Sequence, residues 1–136
     1  MSPPHAPRRE MEPIVEIEQL TPTLRTWDLA ASVAFYRDVL GFQCKAHDPA
    51  LGWACMACGP AELMLSGPNA HEGDRAPGFT GSLYFRVKDV DGLWARLQAH
   101  ARVCYGIETF DYGMREFAIY DNNGYLLQFG APAVTG

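Results

Sequence analysis

Thiols, imidazoles, carboxylates and guanidinium groups are the side chains of this 136-residue chain that could carry chemistry. Cys55-Met56-Ala57-Cys58 has the spacing of a redox pair or of half a zinc site. No second Cys pair or His pair completes the four ligands that zinc takes. The surrounding segment, 51–57, reads as a strand, on which residues three apart point to opposite faces, so the two sulfurs should diverge. With Cys44 and Cys104 they are expected to pack as free, small hydrophobes. No G-x-S-x-G elbow occurs, and the glycines lack the spacing of a phosphate loop. Tyr84 and Glu62 are the one candidate acid/base pair. Arg25 and Arg86 are either solvated strand residues or a grip for an acidic group.

Two repeated elements position these groups. Leu24-Arg25-Thr26-Trp27-Asp28-Leu29 matches Phe85-Arg86-Val87-Lys88-Asp89-Val90 at an offset of 61 residues. Each is a short strand ending in an Asp suited to cap a helix, its side-chain oxygen accepting an orphan N–H of the first turn. One helix lines up Leu29, Val33, Tyr36 and Leu40 and stops at Gly41; the other lines up Val90, Leu93, Trp94 and Leu97 and fades after His100. Three strands should follow each helix: 42–48, 51–57 and 61–66, then 102–110, 115–120 and 125–130, with a turn at 121–124. The fold class is therefore α+β, two tandem βαβββ modules. Module one covers about 16–67 and module two about 81–131. The Pro- and Gly-rich stretch 68–80 connects them, and 1–15 is a loose Pro-rich arm.

Composition narrows the partners. Hydrophobic residues make up 48% and charged residues 20%, with a net charge of −5, as in a soluble globular domain. The Lys and Arg are scattered, so no phosphate-tracking stripe exists and nucleic acid is not expected. No apolar run reaches the ~20 residues of a membrane span, and the N-terminus lacks the apolar core of a secretory signal. A cytoplasmic protein is the expectation.

The segments Asp28-Leu29 through Ser32, Phe35-Tyr36 and Leu40-Gly41-Phe42, with Phe117-Ala118-Ile119-Tyr120-Asp121, Asn123-Gly124-Tyr125 and Gln128-Phe129, resemble the vicinal oxygen chelate superfamily over about 17–131. That superfamily includes glyoxalase I, extradiol dioxygenases and the bleomycin-resistance proteins. The resemblance implies curved sheets forming a cleft, with helices outside. Leu24, Thr26, Leu63, Leu65, Leu83, Phe85 and Val87 should then face the helices, and Thr23, Arg25, Glu62, Met64, Ser66, Ser82, Tyr84 and Arg86 the cleft. The family's metal places fall on Thr21, Met64, Ser82 and Gln128, which lack its His and Glu. His5, His71 and His100 fall in the arm, the connecting loop and a helix end, so only His47 and Glu62 lie near the site, short of three ligands. No metal and no other cofactor is expected.

What remains is a soft, aromatic lining drawn from Trp53, Met56, Met64, Tyr84, Tyr105, Phe110, Tyr112 and Met114, while Trp94, Phe117 and Phe129 belong to the core. The resemblance then points to a metal-free homodimer of the bleomycin-resistance type that binds and sequesters a small planar or amphipathic molecule, antibiotics included. Its ligand-binding residues are Arg25, Trp53, Glu62, Met64, Tyr84, Arg86, Tyr112, Met114 and Gln128, with no catalytic residue assigned. The alternative is a glyoxalase-type lyase or isomerase with a metal site not visible in the sequence.

Overall fold

The computed structural model describes residues 15–70 and 73–133; the arm before Val15, with His5, and also His71 lie outside them. The elements follow the expected order: β1 (Thr23–Arg25), α1 (Leu29–Ala34), β2 (Gln43–Asp48), β3 (Trp53–Cys58), β4 (Ala61–Ser66), β5 (Leu83–Arg86), α2 (Val90–Leu97), β6 (Arg102–Thr109), β7 (Met114–Tyr120) and β8 (Leu126–Pro132). Two four-stranded sheets result, ordered β1-β4-β3-β2 and β5-β8-β7-β6. In each, the first strand pairs in parallel with the last and the others pair antiparallel.

Both helices start where the sequence places a cap. Asp28 accepts from the Ala31 amide at 2.9 Å and Asp89 from the Gly92 amide at 3.0 Å, each satisfying one unpaired donor of a first turn. Helix α1 widens into a π-helical turn over Phe35–Val39, and Gly41, at φ +80°, ends it in a conformation that only glycine adopts without strain.

Alternation along the strands sets the core. Leu24, Leu63, Leu65, Ala54 and Met56 are buried on the helix side of the first sheet. Met56, grouped above with the soft lining, is thus a core residue. Placing Trp53, Cys55 and Ala57 on the outer face puts Ala54 and Met56 on the inner one. The second sheet is richer in rings. Phe85 stacks on Phe129 at 5.1 Å, Phe129 on Phe117 at 5.3 Å, and Trp94 of α2 tilts against Phe117 at 5.2 Å. Phe42 touches Phe85 edge-on at 6.1 Å, so the two modules share one core. Cys55 is buried, Cys58 is exposed, and both are free thiols. No helix is long and apolar enough to cross a membrane among the described residues.

Candidate functional site

The register of β5, β8 and β7 brings side chains together on the outer face of the second sheet. Tyr84 stands opposite Gln128, Arg86 opposite Gly130, Ala118 opposite Gln128, and Glu116 opposite Gly130. Glu116 is the unexpected member. It is only 1% exposed, although it lies on the side away from the helices. A carboxylate at that depth needs donors, and three phenols supply them. Tyr112 donates at 2.6 Å and Tyr84 at 3.2 Å to one oxygen, and Tyr105 donates to the other. Gln128 donates its amide to Tyr105 at 2.9 Å and accepts from Ser82.

A glycine makes this geometry possible. A Cβ at Gly130 would lie 1.9 Å from the Tyr84 hydroxyl and 3.2 Å from the Glu116 Cβ. Tyr84 therefore crosses the bare backbone of β8 to reach the carboxylate. The hydrogen bond to Glu116 pushes the Tyr112 phenol up to about 12, while burial, followed by the Glu116 interaction, raises Tyr105 and Tyr84. All three phenols stay protonated and keep donating at neutral pH.

The rings that hold Glu116 remain open on their other side. Tyr112 is 66% exposed and Tyr84 44%. Phe110 stacks on Tyr112 at 5.5 Å and meets Tyr105 edge-on at 5.6 Å, so the aromatic surface is continuous. Met114 begins β7 on this same face. Of the candidates named from the sequence, Tyr84, Tyr112, Met114 and Gln128 are thus gathered around one carboxylate.

The first sheet holds Arg25, Trp53, Met64 and Glu62. Arg25 and Trp53 both stand opposite Ser66, Met64 lies between Thr23 and Cys55, and Glu62 lies opposite Ala57. Arg25 is only 7% exposed and donates to the Arg75 carbonyl at 3.0 Å, fastening the connecting loop to β1. Glu62 pairs with Lys45 at 3.0 Å, and that hydrogen bond draws its carboxyl below the ordinary range. Among the described residues no ring contact links Trp53 to the aromatic surface on the second sheet. Arg86 stays on the second sheet, opposite Gly130 on the outer face, and borders a cavity between the modules.

A divalent metal does not fit the places the fold would use. Thr21 donates to Glu62 at 3.4 Å, Ser82 and Gln128 bond to each other, and Met64 offers a thioether, a poor partner for a hard cation. Among the described residues, no three His, Cys, Asp or Glu side chains converge to hold a metal.

Residues 16–129 match the Glyoxalase/Bleomycin resistance protein/Dioxygenase superfamily. The chain belongs to this superfamily. Solved structures agree on the fold. A glyoxalase/bleomycin resistance protein/dioxygenase from Nocardioides is 21% identical with a TM-score of 0.72, covering 90% of this chain and 88% of its own. TioX from Micromonospora sp. ML1 is 21% identical with a TM-score of 0.67, covering 82% and 97%. The lactoylglutathione lyase from Agrobacterium tumefaciens is 24% identical with a TM-score of 0.64, covering 85% and 94%. No curated protein matches the chain.

Glu116 escaped the sequence reading. A signal was present: Met114, Glu116 and Ala118 alternate with the core residues Phe117 and Ile119. A charge among apolar neighbours in a late strand marks the outer face. What the sequence did not show is that the phenols bury it, since Tyr105 and Tyr112 arrive from the preceding strand and loop.

Proposed function

We propose that the chain binds a planar, amphipathic small molecule on the outer face of the second sheet and releases it unchanged. One observation supports this most: exposed aromatic rings pinned in place by a buried carboxylate. Exposed tyrosines ordinarily lose side-chain freedom on binding, which costs about 0.5–1.5 kcal/mol for each ordered side chain. Here Glu116 has already fixed Tyr84 and Tyr112, so stacking on them adds roughly 0.5–1.5 kcal/mol per ring with less entropy lost. Ser82 and Gln128 supply a polar end beside the rings, and Met114 a polarisable edge. Antibiotic sequestration of the bleomycin-resistance type is the reading that this surface favours, in a cytoplasmic setting.

The test is calorimetric titration with bleomycin and a panel of planar antibiotics, with mass analysis of the recovered ligand. Saturable binding with unchanged mass is expected, and Tyr112→Ala should weaken it while the protein stays folded. A chemically altered ligand, or turnover of a methylglyoxal–thiol adduct, would overturn the proposal in favour of a lyase. About one firmly held Zn, Ni, Mn or Fe per chain in untagged protein would do the same.

A homodimer is part of this proposal. Ile17, Leu20, Trp27, Leu51 and Phe79 are exposed, and among the described residues strands β2 and β6 end their sheets with one edge unpaired. Apolar surface and open edges of this kind are costly in water, and a second copy is the simplest cover. Light scattering should give twice the 15.1 kDa chain mass, and a single-chain particle would refute the dimer.

A further inference from the structure

The seam between the modules has two halves related by the internal repeat, and they are built from opposite materials. In one half, the five residues Asp121–Tyr125 between β7 and β8 reach over to β1 and α1. Tyr36 donates to Asp121 at 2.7 Å, Thr26 to Asn123 at 3.0 Å, and Asn122 to Ser32 at 3.0 Å. Sixty-one residues after Thr26, Ser32 and Tyr36 stand Val87, Leu93 and Leu97. The connection that would reach them, between β3 and β4, is only Gly59-Pro60. The short turn and the aliphatic side chains leave a cavity of about 560 Å³ lined also by Leu40, Phe42, Phe85 and Phe129.

We propose that this cavity is a second binding site, for a small amphipathic organic monoanion such as a medium-chain or aryl carboxylate. Its volume falls within the range of small-molecule sites, which is about 300–1,000 Å³. The lining includes Arg96 of α2 and, among the described residues, no carboxylate; Arg86 borders it from β5 but stands on the outer face beside Tyr84. Arg96 is exposed and forms no ion pair among the described residues. An apolar hollow with an uncommitted cation in its wall suits an anionic head on an apolar body, and it disfavours an amine of equal length.

Octanoate is the probe, with octylamine as the control of opposite charge, each titrated into full-length protein by calorimetry and by chemical-shift perturbation. Octanoate should bind one equivalent per chain and shift Val87, Leu93 and Leu97 signals, while octylamine binds at least about tenfold more weakly. Arg96→Gln should lose about tenfold in octanoate affinity, the equivalent of one charged anchor. Ala61→Leu, which fills the hollow, should abolish binding in a protein that still melts cooperatively. Tyr112→Ala should leave octanoate binding unchanged, which separates this site from the aromatic surface. Equal binding of octylamine, shifts confined to the outer face of the second sheet, or octanoate-driven dissociation of an oligomer would each overturn the proposal. The last would show that a second copy occupies the cavity.

Discussion

The two modules carry the same strand order and the same capped helix, yet they spend their polar residues in different places. Module two sends Asp121, Asn122, Asn123 and Tyr125 across the seam into module one, and among the described residues module one sends no such loop back. On the outer faces the contrast recurs at matching register positions. Glu116 lies opposite Gly130 as Trp53 lies opposite Ser66. A carboxylate in one module thus takes the place of an indole in the other. A repeat fixes backbone geometry, and the side chains at equivalent places are free to diverge. Here one module supplies the bridge, and the other leaves the hollow that the bridge would have filled.

Between the two halves of the seam, the bridge should carry the larger energetic effect. Asp121 is buried and accepts from Tyr36 and from the Asn123 and Tyr125 amides at 2.8 and 2.9 Å. Asp121→Ala strands three donors, and we expect a loss of about 3 kcal/mol in chemical denaturation. Pro60→Ala, in the short turn of the other half, should cost under about 1 kcal/mol. Equal costs would mean that the two halves of the seam are energetically alike despite their structures.

Next come the walls of the hollow. Phe85 packs on Phe129 and Phe42 but borders open space, so Phe85→Ala should cost about 2–3 kcal/mol, the low end for an aromatic truncation. Phe117, fully buried between Trp94 and Phe129, should cost about 4 kcal/mol when truncated. If the order of these two losses in urea were reversed, the hollow would close up in solution.

Much of this architecture was legible beforehand because local rules dictate it. Asp28 and Asp89 cap helices wherever they stand before an amphipathic run, and period-two alternation put Leu63, Leu65 and Phe85 on the helix side. Arg25 resisted for a different reason: its burial comes from the connecting loop, fifty residues away, which no pattern around β1 announces. Glu116 resisted because its meaning lies in partners on other elements. The seam resisted because a turn three residues shorter is only informative once the repeat is superposed in space.

The contrast between the outer faces is testable at Gly130. A methyl there would displace the Tyr84 hydroxyl from Glu116. Gly130→Ala should cost about 1 kcal/mol of stability, since the evicted phenol is half exposed and finds water. It should weaken antibiotic binding more than it weakens the fold. At Ser66, the matching place in module one, Ser66→Ala should leave binding unaltered. Similar losses of binding at both positions would mean that the two outer faces contribute alike.

The smallest effect is the most specific to Glu116. Tyr112 ionises at about 12 in the folded protein because its hydrogen bond to Glu116 favours the neutral phenol. An unfolded tyrosine ionises near 10. A group whose folded value is raised lends its stabilisation fully below the unfolded value and loses it as pH climbs to the folded one. The Tyr112 contribution should therefore be complete at neutral pH and fade between about pH 10 and 12. Near-ultraviolet absorbance of the phenolates follows this directly, and at least one tyrosine should titrate late. In Glu116→Gln the negative charge is gone, so the late Tyr112 transition should move back toward the ordinary value, with Tyr84 moving the same way. Tyr36 provides the internal control. Its phenol is raised mainly by burial and then by Asp121, on the helix side of the other module, so Glu116→Gln should leave it late. If all the late tyrosines moved together, the raised values would reflect the net charge of the whole chain. Movement of Tyr112, Tyr84 and Tyr105 with Tyr36 unmoved would locate the cause in the carboxylate they share.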